Sequence, residues 1–86
     1  MLERDIEAYL VDKVRAAGGV AMKFTSPQRR SVPDRIALLP GGRIVFVECK
    51  RPGGKPTDAQ AREHARLREL GFPVIVMDSK SMEGIL

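Results

Sequence analysis

The chain has 86 residues, and fifteen Lys and Arg against eleven Asp and Glu give it a formal net charge of +4. This length predicts one domain, residues 1–86, whose modest core makes self-association a reasonable expectation. The single cysteine excludes an internal disulfide framework, and one cysteine with one histidine disfavours a structural zinc site. No apolar stretch has the length of a membrane span or the pattern of a signal peptide, so a cytoplasmic location is expected. The positive charge mildly favours an anionic partner such as nucleic acid.

The first predicted element is an amphipathic helix over residues 2 to about 17, with Gly18-Gly19 as its stop. Its apolar stripe comprises Leu2, Ile6, Leu10, Val14 and Ala17. At about 100° per residue, Glu3 falls inside this stripe and Glu7 falls on its edge. Because a buried acid needs a partner, a metal ion or a raised pKa, Glu3 is a candidate site residue and Glu7 is its alternative.

Four short apolar stretches predict strands at residues 20–25, 34–39, 43–50 and 73–77. The third stretch is apolar on both faces over Ile44-Val45-Phe46-Val47, which favours a central strand. A second helix is expected over residues 57–70, and a last helical turn after Asp78-Ser79. The resulting order, α-β-β-β-α-β, predicts an α/β domain with a central mixed sheet flanked by helices.

The connections between these elements carry turn residues and positive charge. Pro40-Gly41-Gly42 predicts a hairpin turn, and residues 26–31 and 51–56 form polar, basic loops. Cations in these two loops flank the strand ends, where they are candidates for binding DNA phosphates, with ordinary solvated charge as the alternative. They are Arg29, Arg30, Arg51 and Lys55.

The turn decides whether two acids meet. If Pro40-Gly41-Gly42 forms a three-residue loop, Asp34 lands directly opposite Glu48, with Cβ atoms about 4.5 to 5.5 Å apart. Lys50 then lies on the same face, two residues further along the strand. A two-residue loop would shift the register by one residue and put the two carboxylates on opposite faces.

Two opposed carboxylates are unfavourable unless a cation compensates their charge. A hard divalent ion such as Mg²⁺ does so, because it prefers carboxylates, waters and phosphate oxygens as ligands. The backbone carbonyl of Cys49 and the carboxylate of Glu3 are candidates for further ligands. Lys50 would orient or deprotonate the attacking water, or stabilise the charge that builds on the phosphate. The chemistry indicated is metal-assisted phosphodiester hydrolysis.

Pro33-Asp34, thirteen intervening residues and Glu48-Cys49-Lys50 resemble the PD-(D/E)xK nuclease signature. The chain resembles the VRR-NUC (virus-type replication-repair nuclease) family over almost its whole length, and most of all the stand-alone phage and bacterial members. The other matching parts are Glu3 to Glu7, Gly18-Gly19, Lys23 to Pro27, Val32 to Arg35, Val45 to Gly53, Gln60 and Leu67 to Gly71. Two local departures are Ser31, where a glycine is common, and Cys49, where an apolar residue is usual.

The resemblance implies a restriction-endonuclease-like fold, dependence on Mg²⁺ or Mn²⁺, and structure-selective cleavage of DNA. For the minimal members it also implies Holliday-junction resolvase activity by a homodimer, in the host cytoplasm if the protein is phage-encoded. Asp34, Glu48 and Lys50 match the family's catalytic positions, and Glu3, or else Glu7, matches an acid of its first helix. Gln60 matches a glutamine that the family places near the site.

Two residues of the second helix also have local explanations. Gln60 stands three residues after Thr57, the spacing of an N-terminal capping box, and this is as good an interpretation as a place in the site. His64 is the only histidine. A hydrogen-bonded histidine of the surface or the core is favoured there over a general base.

Two other functions are compatible with these residues. A non-catalytic DNA-binding module that keeps the nuclease fold would show salt-dependent binding without metal-dependent turnover. A restriction-like or nicking nuclease without junction selectivity would cut the linear arms of a four-way junction as readily as the junction itself.

Overall fold

The computed structural model describes all 86 residues and contains two helices and four strands. In chain order the elements are α1 (Glu3–Ala16), β1 (Val20–Lys23), β2 (Arg35–Leu39), β3 (Arg43–Cys49), α2 (Asp58–Glu69) and β4 (Val74–Met77). The predicted order α-β-β-β-α-β is confirmed. Neither helix combines the length and the apolar character needed to cross a membrane.

The four strands form one mixed sheet in the order β1-β2-β3-β4. β1 and β3 each pair with β2 in the antiparallel sense, whereas β3 and β4 are parallel. A parallel pair needs a crossover, and α2 lies in the connection between β3 and β4. The prediction that β3 is a central strand is confirmed, because β2 and β4 pair along its two edges.

α1 packs its apolar stripe on one face of the sheet. Ile6, Leu10 and Val14 are fully buried in the main hydrophobic core. The strand residues of that core are Ala21, Ala37, Leu39, Val45, Val47, Cys49 and Met77. Neighbouring side chains along a strand point to opposite faces, so this set leaves the residues between them on the second face of the sheet.

α1 ends at the predicted glycine pair, and both glycines are required by the geometry. The N–H of Gly18 donates to the carbonyl of Arg15 at 2.9 Å, and Gly18 has a φ of 89°, in the left-handed region. A β-carbon on Gly19 would clash with the carbonyl oxygen of Leu38. The absence of a side chain at Gly19 therefore lets the end of α1 approach the backbone of β2 closely.

The predicted apolar stripe is wrong at both ends, because Leu2 is exposed and so is Ala17, which follows the last residue of α1. Met1, Leu2 and Glu3 are exposed, so Glu3 is not on a buried face. Its angular position does match that of Ile6 and Leu10, but residues 1–5 are all exposed, so no other element covers this part of α1. Asp5 caps this turn by accepting a hydrogen bond from the backbone N–H of Leu2 at 2.8 Å.

The expected last helical turn after Asp78-Ser79 is also wrong. The carbonyl of Met82 accepts hydrogen bonds from the N–H groups of Ile85 and Leu86 at 3.0 and 3.1 Å, which closes a single turn. Gly84 has a φ of 80°, which a right-handed helix cannot accommodate. The turn buries Ile85 completely in the core below α1.

The second face of the sheet is covered at one end only. There α2 lies over the end of β3, where His64 and Glu48 are both buried. Towards the other end the face exposes apolar side chains, each more than a third accessible: Val20, Met22, Leu38 and Ile44. Phe46 lies between these two regions and its ring contacts those of Phe24 and Phe72, with centroids 5.7 and 5.9 Å apart.

Candidate active site

The β2–β3 hairpin sets the register on which the site depends. Leu39 pairs with Arg43 across the three residues Pro40–Gly42, and the ladder continues to Arg35 opposite Val47. The two turn glycines have φ values of 81° and 76°, which other residues rarely adopt. The predicted three-residue connection and its register are confirmed.

One step beyond this ladder, Asp34 comes opposite Glu48. The backbone N–H of Cys49 donates a hydrogen bond to Asp34 Oδ2 at 2.9 Å, which draws the Asp34 carboxylate towards the end of β3. Burial, together with a hydrogen bond to Asp34 and repulsion by its charge, raises the pKa of Glu48 to about 8. Without a further cation, the two carboxyl groups therefore hold a proton near neutral pH.

Lys50 completes the group on the same face. Its Nζ lies 3.9 Å from Glu48 Oε2, and its side chain is only 17% exposed. The positive charge of Lys50 opposes the rise in the pKa of Glu48, but burial and Asp34 outweigh it. The predicted convergence of Asp34, Glu48 and Lys50 is thus present in the structure.

Cys49 contributes only its backbone to this side of the sheet. Its side chain is fully buried in the core under α1. Burial raises the pKa of the Cys49 thiol to about 12, with smaller contributions from the negative charges of Asp34 and Glu7. The thiol consequently stays protonated, and the predicted role of Cys49 as a carbonyl ligand concerns only its main chain.

The two candidate acids of α1 differ in their contacts. Arg35 Nε donates to Glu7 Oε2 at 2.7 Å while Arg35 Nη1 donates to the carbonyl of Ala21 at 3.0 Å, so Glu7 is committed to a part-buried ion pair. Glu3 is exposed, forms no ion pair, and lies near enough for its charge to raise the pKa of Glu48 slightly. The structure does not gather Glu3, Asp34 and Glu48 into a ready group of three metal-binding side chains.

Gln60 forms the predicted capping box. Its backbone N–H donates to Thr57 Oγ1 at 3.1 Å, and its Oε1 accepts from the backbone N–H of Thr57 at 3.0 Å. The local interpretation of this residue is therefore confirmed. The side-chain oxygen of Gln60 is engaged at the start of α2 rather than with the carboxylates.

His64 is the residue whose place the sequence did not predict. It is buried, as expected of a hydrogen-bonded core histidine, but its partner is Glu48: His64 Nε2 lies 3.4 Å from Glu48 Oε1. Gln60, His64 and Leu67 are spaced to share one face of α2, but this spacing does not specify the partner of His64. Only the crossover of α2 above the end of β3 reveals the contact.

The loop cations are not equivalent. Arg29 forms a paired hydrogen bond with Glu63 of α2, from Nε to Oε2 at 2.9 Å and from Nη2 to Oε1 at 2.7 Å. Its donated hydrogen bonds hold the pKa of Glu63 below its usual range. Arg30, Arg51 and Lys55 are exposed and join no salt bridge. The four residues were predicted to have the same role, whereas the structure pairs Arg29 with Glu63 of α2.

Comparison with known proteins places the chain in a family. No family model matches the sequence. The chain is 60% identical over 84 residues to "Putative nuclease p44" of Acyrthosiphon pisum secondary endosymbiont phage 1, an alignment that covers 98% of this chain and 90% of the phage protein. A solved structure described as a VRR_NUC domain superposes with a TM-score of 0.85 and 37% identity, over 91% of this chain and 85% of that one. The chain belongs to the VRR-NUC family. The predicted family and its restriction-endonuclease-like α/β fold are confirmed.

Ser31 stands where the VRR-NUC pattern is expected to have a glycine. This residue has a φ of 64°, and no other residue besides glycine has a positive φ in the structure. The left-handed region favours glycine, because a β-carbon there crowds the backbone. A glycine before Val32-Pro33-Asp34 would fit this conformation without strain, so Ser31 departs from the VRR-NUC pattern at a position where the departure has a conformational cost.

VRR-NUC nucleases are expected to use a divalent metal ion, and the donor set tests whether one fits here. Asp34 and Glu48 offer carboxylate oxygens at one place, and the neighbouring thiol faces away into the core. Oxygen donors suit Mg²⁺ or Mn²⁺, and Mg²⁺ commonly binds through only one or two carboxylates with water as the remaining ligand. A pair of carboxylates without a third metal-binding side chain fits such an ion.

Proposed function

We propose that this VRR-NUC protein is a divalent-metal-dependent endonuclease that hydrolyses phosphodiester bonds in DNA. The observation that carries the proposal is the convergence of Asp34 and Glu48, with Lys50 Nζ 3.9 Å from Glu48. A buried glutamate beside an aspartate is costly to ionise, and acids with such perturbed pKa values are typical of catalytic sites. The similarity to a phage protein described as a nuclease supports the same conclusion.

Asp34, Glu48 and the backbone carbonyl of Cys49 would hold Mg²⁺ or Mn²⁺, with Glu3 at the exposed margin as a further carboxylate. A bound divalent ion supplies positive charge at the scissile phosphate and increases the acidity of water. Asp34 is suited to a fixed position, because the N–H of Cys49 binds one of its oxygens at 2.9 Å. Glu7 is less suited than Glu3, since Arg35 already occupies its carboxylate.

Lys50 would act on the attacking water or on the phosphate. Its side chain is mostly buried, and its ammonium group has no acidic partner other than Glu48 within salt-bridge distance. There it would orient or deprotonate the attacking water, or stabilise the negative charge that develops on the phosphate. In either role the short reach to Glu48 keeps the ammonium group next to the carboxylates.

DNA would be held by the basic loops on either side of the site. Arg30, Arg51 and Lys55 are exposed and free of salt bridges, so their charges are available to phosphates. Arg29 is half exposed but paired with Glu63, which gives it a smaller share in binding. No aromatic platform or recognition helix accompanies these cations, which favours binding to the backbone rather than reading of bases.

We further propose that residues 1–86 act as one domain, that two chains form a homodimer, and that the substrate is branched DNA. Two strands of a junction require two sites, and each chain has one pair of carboxylates. The uncharged face formed by Val20, Met22, Leu38 and Ile44 is unsuited to phosphates and suited to a second copy of the chain. Dimerisation predicts a solution mass of twice 9.5 kDa, and Ile44→Lys should return the protein to a single chain.

The test is cleavage of a four-way junction, a flap and a linear duplex made from the same arms. With Mg²⁺ or Mn²⁺ the junction should be cut, its linear arms should be cut far more slowly, and EDTA should stop both reactions. Equal cutting of junction and arms would support a nuclease without junction selectivity. Salt-dependent binding of every substrate with no metal-dependent cleavage would contradict nuclease activity and support a DNA-binding module.

A further inference from the structure

α2 is attached to the rest of the protein through polar side chains. Its two buried residues are Glu63 and His64, neither of which is apolar. Glu63 binds Arg29 of the loop before β2, whereas His64 contacts Glu48 of β3. Buried polar residues are tolerated when each has a partner, and no buried side-chain nitrogen or oxygen in the structure lacks one.

The two carboxylate oxygens of Glu48 have different neighbours. His64 Nε2 lies 3.4 Å from Oε1, while Lys50 Nζ lies 3.9 Å from Oε2. An N–H at His64 Nε2 can donate to Oε1, which leaves Oε2 facing Lys50.

We propose that His64 is a positioning residue: it holds Oε1 of Glu48 so that the other oxygen of this carboxylate is presented, together with Asp34, to a divalent metal ion. This inference rests on the proposed metal-dependent function. Groups that hydrogen-bond to metal-binding side chains affect metal affinity strongly, because they fix the orientation of the ligand before the metal binds. His64 itself is enclosed by the protein at 1% exposure, so it does not touch the substrate.

The test compares two substitutions of similar size that differ in hydrogen bonding. His64→Gln keeps a side-chain N–H that can donate to Glu48, whereas His64→Met fills the space without a donor. Mn²⁺ binding to the wild type and to each variant is measured by titration calorimetry, and folding is followed by circular dichroism. His64→Met should bind Mn²⁺ about 10- to 100-fold more weakly than the wild type, and His64→Gln should recover much of that loss.

Glu63→Gln is the control for a general loosening of α2. It removes the charge that pairs with Arg29 and Arg66 and one of the two acceptor oxygens, without touching Glu48. Its Mn²⁺ affinity should stay close to that of the wild type. Junction cleavage gives a second readout: excess Mn²⁺ should restore the rate of His64→Met. Circular dichroism in EDTA must show this variant folded, because metal binding would also compensate a folding defect.

The outcomes separate this inference from the function on which it rests. If the wild type binds Mn²⁺ and the Gln and Met variants bind it equally well, His64 does not position Glu48 and only this inference fails. A loss of affinity in Glu63→Gln as large as that in His64→Met would also overturn it, in favour of simple support of α2. If the wild type itself binds no Mn²⁺ and cuts no DNA, the proposed function fails first.

Discussion

The backbone N–H of Cys49 donates a hydrogen bond to Asp34 Oδ2 at 2.9 Å. Asp34 lies one residue before β2 and Cys49 is the last residue of β3, so this bond continues the hairpin beyond its backbone ladder. It fixes an acid that would otherwise sit at the frayed end of a strand. It also explains how Asp34 can face Glu48 although their like charges repel.

Glu48→Gln should stabilise the metal-free protein, and increasingly so as the pH rises. The pKa of Glu48 in the folded protein is about 8, above its ordinary value of 4.5. Between these two values the folded state binds more protons than the unfolded state, so the free energy of unfolding falls as the pH rises. The contribution is fully present below about pH 4.5 and is lost by about pH 8.

Thermal melting in EDTA measures this effect. At pH 8.5 Glu48→Gln should melt on the order of 4 °C or more above the wild type, and near pH 5 the two should agree. Mg²⁺ should raise the melting temperature of the wild type at pH 8.5 and leave that of Glu48→Gln almost unchanged. Parallel melting curves across this pH range would show that Glu48 titrates normally.

Cys49 should be inert in the folded protein despite being a free thiol. The side chain is fully buried and its pKa is raised to about 12, so neither access nor thiolate is available at neutral pH. A thiol reagent such as dithionitrobenzoate should react with Cys49 only in denaturant, with one equivalent released per chain. Rapid reaction of the native protein would show that the end of β3 opens.

Ser31→Gly should stabilise the protein by about 0.5 to 1 kcal/mol, because it relieves a left-handed backbone conformation at φ 64° and offsets the entropic cost of glycine. Denaturant unfolding measures the difference. The matched control is Ser79→Gly, an exposed serine outside the left-handed region, which should be neutral or destabilising. Equal effects at the two serines would remove the conformational explanation of the glycine that VRR-NUC proteins favour.

Local signals predicted the hairpin and the capping box well. Pro40-Gly41-Gly42 specified the turn, and the strict alternation of strands then placed Asp34 opposite Glu48 and Lys50 beside them. Thr57 and Gln60 are near neighbours in the sequence, so their spacing alone predicts their two hydrogen bonds.

The failures concern contacts between elements that are distant in the sequence. The helical angle placed Glu3 correctly around α1, but it does not show which turns of the helix another element covers, and residues 1–5 are exposed. The pairing of Arg29 with Glu63 and that of His64 with Glu48 depend on where the crossover places α2. No periodicity in one element specifies a side chain of another, so these partners required the structure.

The most direct test of the account is the cleavage of a four-way junction with Mg²⁺ by the wild type, Asp34→Asn and Lys50→Ala, measured beside junction binding in Ca²⁺. Both substitutions should lower the cleavage rate at least about 10³-fold, because each removes a group that acts on the reacting phosphate or water, and both variants should still bind the junction. Arg62→Ala, a change of an exposed α2 residue that joins no salt bridge, serves as the control and should cut normally. If either Asp34→Asn or Lys50→Ala cut the junction at the rate of the wild type, the assignment of this site would be contradicted.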